Sequence, residues 1–217
     1  MVENTKAVRV AVNVMRSRLT VIGFNIAIVS FMIANIKKVS GGLVVPGLDH
    51  TLHVGADMAL FMGLALSLIS LVAYIISGAL DEVGVCTHWS LIAGDLLMYL
   101  ALAQTVTGFF TPLTASLDMV AGRLPHLASE ISILHAAPLI GGGVAWFLAT
   151  YAGPIVSLVR SPFQRRTNIT LGLAYMAVLL ALSWVSSYAV LVEAGGSVDG
   201  SGAILRVCME LIQPFRW

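Results

Sequence analysis

Charge is scarce in this sequence. Only 11% of its 217 residues are Asp, Glu, Lys or Arg, against about 25% in soluble domains. Apolar residues fill the gap at 58%, and the mean hydropathy is +0.93. So little charge cannot cover a water-facing surface, so lipid is the solvent for most of the chain. Cysteine is scarce too. Cys86 and Cys208 are the only two, and they form no CxxC or CxxCH. That removes a thiolate zinc cluster and covalently attached c-type haem from consideration. Neither sign of charge dominates, the net value being +1, so nothing points to nucleic acid. Internal repeats and low-complexity tracts are absent.

What is present is a set of long apolar runs. Five are long enough to cross a bilayer, at about 19–36, 52–80, 88–110, 130–159 and 169–191. The predicted fold class is an all-α integral membrane protein, a bundle of five transmembrane helices in a single domain. The basic segment 1–17 reads as the start of an uncleaved first helix. Thr111-Pro112 is expected to stop the third span. Residues 113–129 then form an amphipathic loop segment, with Leu113, Leu117, Val120 and Leu124 at helical spacing. The tail, 192–217, contains a run from Ala203 to Ile212 that is far too short to span, with Arg206 and Glu210 four apart. It is expected to form a short interfacial or partner-docking helix. Lys6, Arg9, Arg16, Arg18, Arg160, Arg165 and Arg166 fall on one side of the five spans. Lys37, Lys38, Arg123, Arg206 and Arg216 fall on the other. The larger group predicts a cytoplasmic N-terminus and a C-terminus on the outer face.

The stretch from Glu130 to Val159 carries one charge at its front and none after it. His135 lies near its start, and Gly141, Gly142 and Gly143 follow two turns later. Alternation of the spans brings His50, His53, His126 and His135 to the same membrane face and leaves His88 at the other. Imidazole is the usual axial ligand of haem in membranes and a common metal ligand. A b-type haem needs two such rings from facing helices, and His53 and His135 are the best pair by depth. Gly55 and Gly141 to Gly143 would let the macrocycle approach backbone. Asp57, one turn after His53, or His50 would accept a proton from a quinol. The rival arrangement is a compact site in which His53, Asp57 and His135, with His50 or His126, hold zinc, copper or non-haem iron. The bland reading is wet interfacial histidines, with glycines for close helix packing. Asp95 and Gln104 fall inside spans and, with Asp57, offer a polar path for a transporter. Glu130 and Glu193 sit at span ends and are expected to be solvated.

Two of the runs carry a resemblance. Ala93-Gly94-Asp95-Leu96-Leu97, then Gln104, Gly108 and Thr111-Pro112, followed by Leu134-His135 opening the next span, resemble the membrane cytochrome b subunit of respiratory nitrate reductase and its relatives. The resemblance covers about a quarter of the chain. It implies a five-helix haem b anchor that exchanges electrons with quinol, with His135 as an axial ligand near the outer face. That family's last helix carries a second histidine where this chain has Gly153-Pro154, so the resemblance implies a single haem or a haem-less relative. The expected function is therefore a membrane-anchoring b-type cytochrome subunit of a redox complex. It would pass electrons between quinol and a partner protein. The alternatives are a cofactor-free structural or assembly subunit, a His/Asp metal site, and a proton or ion transporter.

Overall fold

The computed structural model describes residues 2–36, 42–47, 49, 51–80, 89–195 and 203–217; the side chains of 2–14, 80, 203 and 216 are not among those described. The described chain is helical almost throughout. Its order is α1 (Val2–Asn35), α2 (Val54–Leu80), α3 (Ser90–Arg123), a 3-10 turn (Pro125–Leu127), α4 (Ala128–Phe147), a π-helical turn (Leu148–Ala152), α5 (Gly153–Val159), α6 (Arg165–Glu193), α7 (Ala203–Glu210) and a closing 3-10 turn (Gln213–Arg216). Five segments are long and apolar enough to cross a membrane: Met15–Asn35, Val54–Ala79, Ser90–Arg123, Pro125–Val159 and Arg165–Glu193. The expected five-helix membrane bundle is thus the fold.

Its polarity is the inverse of a soluble protein's. Phe24, Phe31, Phe61, Ile75, Ile140 and Leu173 point outward, each at least 57% exposed, while Ser67, Ser70, Thr105, Thr107 and Asp95 are buried. In lipid the apolar surface needs no cover, but each polar group needs a partner inside. The central pair is α2 and α3, held together by small residues that let the backbones approach. A Cβ on Gly108 would fall 2.5 Å from Leu60 Cγ, and one on Gly94 would fall 2.8 Å from the Tyr74 ring. Around this pair α1 packs through Ile22, Val29 and Ile36, and α6 packs through Tyr175, Leu179 and Leu182.

Three boundaries differ from those expected. α3 does not stop at Thr111-Pro112 but runs through Pro112 to Arg123. With no water to receive freed backbone groups, continuing the helix is the cheaper outcome, and the neighbouring hydroxyls turn inward onto carbonyls. Thr114 Oγ1 donates to Phe110 O at 3.1 Å and Ser116 Oγ to Pro112 O at 2.8 Å. The expected amphipathic loop is therefore the far end of α3 and one 3-10 turn. The 34 residues of α3 rise about 51 Å, more than the roughly 30 Å hydrocarbon core requires. The 130–159 run crosses as one span, but with a π turn at 148–152 just before Pro154. Proline brings no N–H to the helical ladder, and a one-residue slip of register is the usual accommodation. The tail also departs from expectation: it folds back against α6 and the α4–α5 span, burying Glu210 and Gln213 to 3% and 6% exposure.

Candidate functional site

The start of α2, the middle of α3 and the end of α6 diverge enough to leave a cavity of about 330 Å³, which the tail closes. α2 contributes Gly55. α3 contributes Thr107 and Thr111, one turn apart. α6 contributes Ser186, Val190 and Glu193, and the tail contributes Glu210, Gln213 and Trp217. The tail is seated by the glycines singled out in the sequence. Cβ atoms on Gly142 and Gly143 would fall 2.9 Å from the Trp217 ring and 3.3 Å from Pro214 Cβ. Phe110 and Trp217 stack with ring centroids 5.8 Å apart.

A connected polar network forms the inner wall. Trp146 Nε1 donates to Thr107 Oγ1 at 3.1 Å, and Thr107 donates to Gln213 Oε1 at 2.6 Å. Gln213 Nε2 donates to Ser186 Oγ at 3.0 Å and to Glu210 Oε2 at 2.8 Å, and Ser186 Oγ donates to the same carboxylate oxygen at 2.7 Å. The opposite wall belongs to Glu193. Its Oε2 accepts the Gly55 backbone N–H at 3.0 Å, one of the free donors of the first turn of α2. Its Oε1 lies 4.0 Å from His53 Nδ1. His53 is itself 3% exposed. The segment before it folds back in a short bridge, Leu43 and Leu52 exchanging backbone bonds of 2.8 and 2.9 Å. Gly42 takes φ +88° there, and a Cβ on it would lie 2.6 Å from Leu52 O. Two carboxylates thus line one cavity, and no Lys or Arg is among its described lining residues. Such a site suits a ligand that donates hydrogen bonds or carries positive charge.

The sequence-predicted residues are scattered by comparison. His53 belongs to this site, and Gly55 lines it. His135 does not: its Nε2 lies 3.7 Å from Asp118 Oδ1. Asp118 is two turns beyond Thr111 on α3, a rise of about 10 Å. The two imidazoles thus have different carboxylate neighbours. Gly142 and Gly143, expected to give a macrocycle room, are covered by the chain's own tail, and Gly141 meets nothing within 4 Å. Asp57 N–H donates to His53 O at 2.8 Å. His126 is exposed in the 3-10 turn, and His50 and His88 lie outside the described residues. Among the described residues no group of three or more His, Cys, Asp or Glu could hold a metal ion.

Asp95 is committed elsewhere. It faces α1 and α2, where Arg18 Nη2 lies 2.6 Å from Oδ2 and Tyr74 Oη donates to Oδ1 at 2.5 Å. Gln104 lines the space between α2 and α6. Sequence reading missed Glu193, Glu210, Gln213 and Ser186. The available signal was the seven-residue spacing of Ser186 and Glu193, which puts both on one face of α6. The chain matches no protein-family model, no curated protein and no solved structure.

Proposed function

We propose that this chain is the quinol-facing membrane subunit of a redox complex. A lipid-soluble hydroquinone places its ring in the cavity near Trp217, where one face of a π system is available for stacking. One hydroxyl donates to Glu193 and the other to Glu210. Oxidation releases two electrons and two protons. The electrons pass singly to a one-electron acceptor held by a partner subunit, and the protons pass to the Glu193 and Glu210 carboxylates. From Glu193 the proton's next stop is His53, which leads toward the segment 42–52 and the aqueous face. In this reading Glu193 and Glu210, rather than Asp57 and His50, are the proton acceptors. The observation that carries this reading is the pair Glu193 and Glu210 lining one cavity, Glu193 at the end of the last apolar span and Glu210 buried to 3% exposure in the tail. The larger basic group on the N-terminal side supports an N-terminus in the cytoplasm, which puts the cavity toward the outer face.

A second reading has one observation in its favour. Two carboxylates without a lining base also suit an organic cation, as a transporter would need. Titration of the purified protein with a water-soluble hydroquinone and with an alkylamine separates the two, read by tryptophan fluorescence. The quinol reading expects saturable quenching by the hydroquinone that weakens about tenfold or more in Glu193→Gln and Glu210→Gln. Saturation by the amine alone would transfer the site to transport. Saturation by neither would leave a structural subunit.

A further inference from the structure

A second cavity opens at the same end of the bundle as the carboxylate one, and its lining carries the opposite charge. It measures about 500 Å³ and lies between the segment 42–51 and the far end of α3. The segment contributes Val44 and Thr51, and α3 contributes Ser116, Val120 and Arg123. The three α3 positions are four and three apart, so they share one face of the helix. Asp118 falls on the opposite face, where it approaches His135. Asp49 belongs to the same segment as Thr51 but is exposed and not among the lining residues. Arg123 is therefore the one charged group among the described lining residues.

The cavity lies at the depth of lipid headgroups. Trp89 stands at the start of α3, 52% exposed, and marks one membrane interface. Along α3, Ser116 lies about 40 Å from it and Arg123 about 51 Å. A bilayer with its headgroups is about 40–45 Å thick. With the usual tilt of a spanning helix, the cavity comes level with the headgroups of the opposite leaflet.

Its rim is apolar, with Val44 75% exposed and Val120 42% exposed. A free inorganic anion has no use for such a rim, whereas an amphiphile does. A guanidinium presents a fork of donors that matches a phosphate group. With no carboxylate in the described lining, an ammonium headgroup would find no partner there. Net negative charge on the ligand is what this lining selects.

We propose that this cavity binds the headgroup of an anionic phospholipid such as phosphatidylglycerol. The phosphodiester sits against Arg123, the Thr51 hydroxyl donates to the headgroup, and the glycerol backbone and first methylenes lie over Val44 and Val120. The bound lipid bridges the segment 42–51 to α3. The proposal is independent of the quinol reading.

The test titrates the whole purified chain, in neutral detergent, with phosphatidylglycerol, with phosphatidylcholine of the same acyl chains, and with inorganic phosphate. Bound lipid is counted by native mass spectrometry, and affinity is read from the rise in Tm. The expected result is that wild type retains one phosphatidylglycerol through delipidation and binds phosphatidylcholine at least fivefold more weakly. Arg123→Gln is expected to weaken phosphatidylglycerol about five- to tenfold. Arg16→Gln, which removes an exposed cation from the other end of the bundle, is expected to leave it unchanged. Val120→Glu places a carboxylate in the cavity, is expected to act as Arg123→Gln does, and stands in if that variant folds poorly. Equal affinity for the two lipids, no retained lipid, or equal losses in Arg123→Gln and Arg16→Gln would overturn the proposal. Inorganic phosphate that matches phosphatidylglycerol in affinity would also overturn it, as the cavity would then serve a free anion.

Discussion

Thr107 of α3 and Gln213 of the tail meet at 2.6 Å although 106 positions separate them. Thr107 is also the acceptor for Trp146 Nε1, so one hydroxyl ties three segments together. Thr107→Val keeps the shape and removes the oxygen, leaving a buried indole N–H and a buried amide oxygen without that partner. A loss of about 1–3 kcal/mol is expected, read as a lower Tm in detergent together with a shifted tryptophan emission. An unchanged Tm would mean that water enters to replace the hydroxyl.

The glycine run yields a paired prediction. Gly142→Leu drives side-chain atoms into Phe110 and Trp217, whereas Gly141 has nothing within 4 Å. Gly142→Leu is expected to cost about 1–3 kcal/mol by overpacking and to lift the tail off its seat. Gly141→Leu is expected to stay within about 0.5 kcal/mol. Trypsin cleavage at Arg206 reports the difference: faster in Gly142→Leu, unchanged in Gly141→Leu.

Arg18 and Asp95 form an ion pair whose side chains are 22% and 4% exposed, with the guanidinium 5.9 Å from the Tyr74 ring centroid. Removing one partner strands the other. Asp95→Ala is expected to destabilise by about 3–5 kcal/mol, while the double replacement Arg18→Met with Asp95→Leu is expected to recover most of that loss. A double-mutant cycle on Tm measures the coupling. Additive losses would show that the pair contributes no specific interaction.

The two histidines should respond differently. His135 lies beside Asp118 at 3.7 Å and is not among the cavity's lining residues, so His135→Ala is expected to leave hydroquinone binding unchanged. His53→Ala empties a buried position beside Glu193 and is expected to weaken hydroquinone binding several-fold. A reduced-minus-oxidised visible spectrum of the same preparations tests the haem expectation. An α band lost in both His53→Ala and His135→Ala would identify the two rings as its ligands, and a wild-type preparation without an α band would remove the haem expectation.

How much of this was legible in the sequence depended on the range of the interaction. The five spans were, because hydrocarbon thickness imposes a length on each apolar run and five runs met it. The gathering of His53, His126 and His135 at one end was legible too, since alternation of spans fixes the end at which each residue lies. Alternation says nothing about which faces meet, so the approach of Glu193 to His53 could not be read from it. Pro112 misled because its effect in water, ending a helix, is muted where the backbone has no solvent to turn to. Glu193 and Glu210 were read as ordinary charges because their partners, Gly55 and Ser186, are brought to them by tertiary packing. The short run after Ala203 announced a helix and gave no sign that it would return to the bundle.

That return has a consequence for how the protein is made. α7 follows all five spans in the chain, so Glu210 and Gln213 are the last parts of the cavity wall to be synthesised. Until the tail docks, Gly142 and Gly143 lack their cover and Thr107 lacks the Gln213 amide. The order of synthesis thus makes the wall carried by the tail the last part of the site to be completed.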